Sequence, residues 1–269
     1  MVEDGRVDGY TSATYGDAFA DVYDDWYGDL ADRDATISTV AALTPAGGRV
    51  LELGVGTGRL AVPLATALRA NDATVTGIDT SAAMLERLRH RDVDRVVDAR
   101  HADMVDGLPE GPFDVVLAAY NTLFNVLDPD DQLRCLAGVA ARLTATGVLL
   151  VEAFVPDDDA PAVDHVSVRS MRTDEVVLSV SRATPDQRVE GQYISISEGG
   201  GVRLRPWAIR WSTPAQLDDM ARRGGLVPAG RWASFRGAPF TQRSTRHVSA
   251  YVTPGQHEEA SGWVRNVLG

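Results

Sequence analysis

The nine residues Val50-Leu51-Glu52-Leu53-Gly54-Val55-Gly56-Thr57-Gly58 constrain this chain more than any other stretch. Val50 to Leu53 form a short apolar run, the pattern of a buried strand. Three glycines at alternate positions follow at once, and a helical pattern starts at Arg59. Glycine permits a sharp turn through positive φ and lets a ligand come close to the main chain. A strand, a glycine loop and a helix N-terminus together present backbone N–H donors to a ligand. The spacing departs from the dinucleotide fingerprint G-x-G-x-x-G, because Arg59 stands where the third glycine belongs. With Glu52 at the strand end, the loop fits a pyrophosphate poorly and suits a ligand with a positive end.

The next strand pattern, Thr74 to Ile78, ends in Asp79, about 20 residues past the loop, where a carboxylate can take both hydroxyls of a ribose. Thr80-Ser81 then offers a helix cap before Ala82-Ala83-Met84-Leu85. Four segments in this order resemble the class I S-adenosylmethionine-dependent methyltransferases: E-L-G-V-G-T-G (Glu52 to Gly58), G-I-D-T-S-A-A-M-L (Gly77 to Leu85), H-A-D-M (His101 to Met104) and F-D-V-V-L-A-A-Y (Phe113 to Tyr120). The resemblance is strong over 49–153 and looser elsewhere. It implies a Rossmann-like seven-stranded α/β sheet with helices on both faces and S-adenosyl-L-methionine as cofactor. It also implies that Asp103 accepts from the adenine amino group while the backbone N–H of Met104 meets the ring. The family's Tyr, seven residues, then Tyr-Asp corresponds to Tyr15 and Tyr23-Asp24, which puts Tyr15 against the methionine part or the acceptor.

Bulk properties narrow the activity. The net charge of −12 disfavours a nucleic-acid substrate, which binds through Lys and Arg. All 26 basic residues are arginine, which excludes a Schiff-base lysine, a lysine general base and a P-loop. With 44% hydrophobic residues the chain can build a proper core. The single cysteine, Cys135, fits a helix core and allows no internal disulfide, in keeping with a reducing, cytoplasmic location. The polar, acidic residues 1–9 are unlike a signal peptide, and no apolar run reaches membrane-spanning length.

Taken in order, residues 1–14 read as loosely held. From Tyr15 to Tyr27, aromatic and apolar residues recur at three- and four-residue spacing, one face of a lid helix. A second helix spans about 30–43 and carries Arg33, a candidate partner for the cofactor carboxylate. These N-terminal helices form a first region, 1–48, before the cofactor-binding core at 49–155. Within the core, strand patterns near 49–53, 74–78, 95–100, 113–119 and 147–153 alternate with helices near 58–70, 81–90 and 130–143, which predicts a parallel sheet. Pro63 sits awkwardly in the first of these helices. After the loop 156–161 the alternation stops. Period-two runs at 164–171, 175–183, 188–197 and 202–211 predict an inserted antiparallel sheet, so 156–211 reads as an acceptor-pocket insertion that also offers a homodimer contact. Residues 212–269 complete the core sheet with a helix from Pro214 and two antiparallel strands.

Methyl transfer from a sulfonium requires alignment more than it requires a base. The resemblance, with the convergence of Glu52, Asp79, Asp103 and Tyr120 at strand ends, implies a cofactor set of Tyr15, Tyr23, Arg33, Glu52, Gly54, Gly56, Gly58, Asp79, Thr80, Met84, Asp103, Met104 and Tyr120. Tyr15, Glu152 at the fifth strand end and His165 are catalytic candidates; His247 is a further histidine in a strand pattern. Asn121, Asn125, Trp207 and Trp232 are candidates for the acceptor, with Trp211 and Phe235 nearby in sequence. The layout is similar to that of amino-sugar N-methyltransferases, but Asn125 occupies the place where many of those carry a histidine, and an amide is no base at neutral pH. No Asp/Asn-Pro-Pro-aromatic motif marks a base-flipping enzyme, and no aspartate at the fourth strand end begins a catechol-type metal site. The expectation is metal-independent methylation of N, O or C on a small metabolite in specialised metabolism, with no nucleic-acid or membrane partner. Two alternatives remain open: a protein of this fold that does not transfer methyl groups, and a nicotinamide oxidoreductase.

Overall fold

A computed structural model of the chain describes residues 9–28, 32–157 and 163–268. Residues 1–8, 29–31, at the expected start of the second helix, and most of the 156–161 loop lie outside the described residues.

The core alternates strand and helix from Arg49. Strands β1 (Arg49–Leu53), β2 (Thr74–Asp79), β3 (Val97–His101), β4 (Phe113–Ala118) and β5 (Leu143–Phe154) run parallel, and β10 (Val227–Trp232) and β11 (Arg246–Val252) close the sheet. The order is β10-β11-β5-β4-β1-β2-β3, with β11 antiparallel to both β5 and β10. The chain leaves β1 toward β2 and later crosses back to β4 on its other side. That reversal opens a crevice at the carboxyl ends of β1 and β4, where open α/β sheets bind ligands.

Two apolar layers hold the sheet. On one face Leu64 and Leu68 of α4 (Ala61–Leu68) and Leu85 and Leu88 of α5 (Ala82–Arg91) pack with Val50, Val75 and Val115. On the other, Cys135, Leu136 and Val139 of α6 (Pro129–Ala140) and Leu217 of α7 (Pro214–Arg223) pack with Leu51, Val116 and Leu149. Pro63 causes no conflict. It lies in the first turn of α4, where its missing N–H has no intrahelical partner anyway. The C-terminal segment forms α8 (His257–Leu268), whose Val264 and Leu268 join the first layer.

The four runs after the core form a separate antiparallel sheet, β6 (Asp164–Met171), β7 (Glu175–Ala183), β8 (Arg188–Ser197) and β9 (Gly201–Arg210), in that order. The lid differs from the expected single helix. It breaks into α1 (Thr14–Phe19) and α2 (Tyr23–Tyr27), followed by α3 (Arg33–Ala42). Arg205 of β9 explains the break: its guanidinium donates to the Ala18 carbonyl and grips Asp21 through two bonds of 2.6 and 2.9 Å. Arg203 adds a contact of 2.8 Å to the same carboxylate. The lid is tied to the core as well, by Ser81 Oγ donating to Asp17 (2.6 Å) and by Asp24 receiving Thr57 Oγ1 (2.7 Å) and Arg91 (2.8 Å).

Candidate functional site

A cavity of about 560 Å³ lies between the carboxyl ends of β1 to β4, the lid and the inserted sheet. Gly54, Gly56, Asp79, Thr80, Met84, Asp103, Met104, Tyr120, Asn121, Asn125, Tyr15, Tyr23 and Trp207 all line it. A second notch of about 30 Å³ opens beside it, walled by Glu52 and Arg59 and sharing Tyr23, Gly54, Gly56, Tyr120 and Thr122 with the larger space.

The glycine loop is shaped by the sequence. Gly54, Gly56 and Gly58 all have positive φ, and a Cβ on Gly54 would come 2.6 Å from Thr122 Cγ2. Gly58 faces Leu88 and not the cavity, so its role is packing. Asp79 fixes the loop from below. Its Oδ2 accepts from Gly56 N and its Oδ1 from Ser81 N, each at 2.8 Å. Burial holds its pKa above the ordinary carboxylate value, opposed by those two backbone donors. Ser81 caps α5 by accepting from Met84 N at 3.1 Å, which seats Met84 under the lid. Asp103 accepts from Val105 N at 2.7 Å and so turns the chain at the cavity edge.

Glu52 is nearly buried, at 4% exposure, and its Oε2 has no hydrogen-bond partner among the described residues. Burial pushes its pKa up to about 8, with Arg59 pulling the other way. Arg59 was absent from the expected set. Its guanidinium donates to the Tyr27 carbonyl and lies 5.1 Å from the Tyr23 ring centroid and 4.8 Å from that of Tyr120.

Several expectations are corrected. Arg33 lies outside both cavities, half exposed and bonded to Asp34 (3.3 Å), because α3 starts on the far side of the lid break. His165 is exposed on β6, the strand of the insert furthest from β9 and outside the cavity lining. Trp232 is core: a bulge between Pro228 and Gly230 turns its ring onto Gly230, with Phe235 in the same apolar cluster. Trp211 does not line the cavity either. Glu152 is buried behind the site. Its Oε2 accepts from Tyr120 N (3.0 Å) and its carbonyl from Asn121 N (3.0 Å), while Asn121 Oδ1 accepts from Phe154 N (2.7 Å). It therefore braces a turn whose two residues have φ of 51° and 64°. His247 is enclosed on β11, bonded to Ser249 Oγ at 2.8 Å, and burial depresses its pKa to about 4.

Other lining residues went unseen in the sequence. Tyr10, Thr11 and Ser12, expected to be loosely held, form part of the roof; Tyr10 Oη accepts from Ala208 N (3.1 Å) and Thr80 donates to the Ser12 carbonyl (2.8 Å). Tyr27 and Tyr193 add aromatic walls, and Arg188 and Glu190 of β8 line the same space with Asp128 and Asp131. Tyr193 had a signal, an aromatic residue in a period-two run. Gly191 sits opposite Trp207 in the β8–β9 register, and a Cβ there would come 2.7 Å from the indole. The result is a cleft with carboxylates and aromatic faces, an environment that favours cations.

Residues 50–147 match the methyltransferase-domain family. The 27-O-demethylrifamycin SV methyltransferase of Amycolatopsis mediterranei is 37% identical over 256 residues, covering 83% of this chain and 90% of its own. The cypemycin N-terminal methyltransferase of a Streptomyces species is 29% identical over 242 residues, covering 86% and 94%. The solved structure of the CcbJ methyltransferase from Streptomyces caelestis superposes with a TM-score of 0.83 at 36% identity, over 91% of this chain and 99% of that one. Strand order, glycine loop and strand-end cleft agree with these similarities, and the chain belongs to the class I S-adenosylmethionine-dependent methyltransferases.

Proposed function

We propose that this methyltransferase acts on an amine nitrogen of a small metabolite. The observation that carries the reading is the cleft itself: Asp79, Asp103, the glycine loop, Tyr15 and the carboxylates Asp128, Asp131 and Glu190 converge on one space. The cofactor fits the residues present. The buried, unpartnered Glu52 Oε2 suits an ammonium, and Asp79 keeps lone pairs beyond its two backbone bonds for a ribose diol. Asp103 and Met104 take the adenine. Bound S-adenosylmethionine supplies an electrophilic methyl carbon on a sulfonium. Tyr15, stacked on Phe19 at 4.5 Å, faces the reacting centre, and the roof from Tyr10 to Ser12 excludes water. Burial holds the Tyr15 hydroxyl well above its ordinary pKa, so it stays neutral and orients an amine by hydrogen bonding. Glu190, Asp128 and Asp131 attract a cationic acceptor, which gives up its proton to solvent before its nitrogen lone pair forms the N–CH3 bond as the S–CH3 bond breaks, leaving S-adenosylhomocysteine; Trp207 and Tyr193 supply apolar contact.

The nicotinamide alternative falls with the family assignment. Methyl-labelled S-adenosylmethionine offered with matched amine and hydroxyl metabolites tests the rest. Label is expected in the amines. Label confined to hydroxyl partners overturns the nitrogen assignment, and tight cofactor binding with no transfer to any acceptor favours the non-transferring alternative.

We also infer a homodimer through the insertion. Val166, Val168, Val176, Leu178, Val180, Ile194, Ile196, Val202 and Leu204 pair across β6 to β9 and therefore share one face. Val166 is 65%, Val202 67% and Leu204 57% exposed. Two such faces together offer on the order of 1,000 Å², enough for a specific interface. Sedimentation is expected to show a dimer that Leu204→Asp converts to monomer without loss of S-adenosylhomocysteine binding. A monomeric wild-type protein at ~50 μM, well above typical dimer dissociation constants, would remove this reading.

A further inference from the structure

We propose that Arg59 senses the carboxylate of the cofactor and couples its presence to closure of lid helix α2. This rests on the cofactor assignment above and adds a specific residue and a mechanical consequence to it.

Arg59 follows Gly58 directly and reaches into the small notch. A water site needs roughly 10–15 Å³, so a notch of about 30 Å³ has room for about two water-sized polar groups side by side. Its polar walls are complementary. Glu52 brings a buried oxygen with no partner among the described residues, and Arg59 brings a permanent cation. The amino-acid end of the cofactor carries one charge of each sign. Its ammonium satisfies Glu52 and its carboxylate satisfies Arg59. Arg33 lies outside the notch, and Arg91 is committed to Asp24 and to Thr57.

The coupling follows from where else the same guanidinium is held. It donates to the carbonyl of Tyr27, the last residue of α2. It also lies against the ring of Tyr23, the first residue of that helix, and against Tyr120 of the core. A guanidinium has five N–H donors, and the contact with Tyr27 uses one. A carboxylate taking others fixes the plane of the fork. It thereby fixes the bond to the lid and the stack on Tyr23. Without the amino-acid end the guanidinium keeps only its single bond to the Tyr27 carbonyl and its two ring contacts, so a nucleoside that lacks that end fills the adenosine part of the cleft with α2 held less firmly.

S-adenosylhomocysteine and 5′-methylthioadenosine are the probes, since they share adenosine and a thioether and differ in the amino-acid end. Calorimetry on Arg59→Met is expected to show S-adenosylhomocysteine weakened roughly 30- to 100-fold and methylthioadenosine changed by less than about 3-fold. The retained methylthioadenosine affinity is the variant's folding control. Arg59→Lys, with charge but no fork, is expected to fall between the two. Hydrogen exchange of the wild-type protein is expected to show the amides of residues 23–28 protected by S-adenosylhomocysteine and not by methylthioadenosine, with that difference lost in Arg59→Met. Equal weakening of both ligands, or unchanged S-adenosylhomocysteine affinity, overturns the carboxylate role. Equal lid protection by the two nucleosides overturns the coupling. Wild-type protein that binds neither nucleoside overturns the cofactor assignment and this proposal together, a result separate from the other three.

Discussion

Asp79→Ala is expected to weaken S-adenosylhomocysteine about 100-fold or more, the largest loss from any single side chain in the cleft. Hydrogen bonds to a charged group contribute about 1.5–3 kcal/mol each, and a ribose diol makes two. The substitution also strips Gly56 N–H and Ser81 N–H of their acceptor, which loosens the glycine loop and the start of α5 together. Asp79→Asn keeps the shape and one acceptor but turns an amide N–H toward one of those donors, so an intermediate loss is expected. Calorimetry decides the matter. An alanine variant that binds within about 5-fold of wild type would mean that the ribose sits elsewhere, since even one lost charged bond exceeds that change.

The second large effect is a proton. With its pKa pushed up to about 8, Glu52 is mostly protonated at pH 7 in the free protein. An ammonium arriving in the notch favours the carboxylate, so binding is expected to release most of one proton at pH 7. Binding heats in phosphate and Tris, whose ionisation enthalpies differ widely, report that number directly. Glu52→Gln is expected to abolish it, and wild-type binding without proton release would place the ammonium away from Glu52. The same group governs stability in the free protein. Its folded-state value lies above its ordinary 4.5, so the folded chain binds more protons than the unfolded chain between about 4.5 and 8. Its favourable contribution is complete below that window, declines as pH rises through it and is gone above about 8. Asp79 and Glu152, also raised by burial, act in the same direction. Melting temperature from pH 6 to 9 is therefore expected to fall further in wild type than in Glu52→Gln, by about 5 °C. The opposite order would refute the assignment.

What the sequence made legible was local. The glycine loop, Asp79 and Asp103 stand at fixed offsets from strand ends, and a strand end is visible wherever an apolar run stops. The four runs of the insert were legible for the same reason, since alternation marks both strands and faces. Long-range choices were not. Alternation says that His165 and Tyr193 point to one side or the other, but not that β8 borders the cleft while β6 is remote. Arg33 and Arg59 are equally charged. Arg59 approaches the notch because it follows Gly58 on the loop that walls it, whereas Arg33, at the start of α3, is exposed and bonded to Asp34. Trp232 reads like Trp207 until the Pro228–Gly230 bulge turns it inward. Glu152 was seen at the right strand end with the wrong task, because its hydrogen bond to Tyr120 N spans two strands.

Gly191 has a consequence for how the range of acceptors can change. The missing side chain lets the Trp207 indole lie against β8, so a residue that does not line the cleft sets the position of one that does. A side chain at 191 would press on the indole and, closer still, on the Val180 backbone carbonyl at 2.5 Å, so it would part β8 from β7 as well as move the wall. A smaller residue at 207 alone widens the cleft but bares the backbone of β8. Exchanges at 207 are therefore expected to be tolerated only while 191 stays glycine, and a library that varies both positions freely would lose most of its members to the clash with β7.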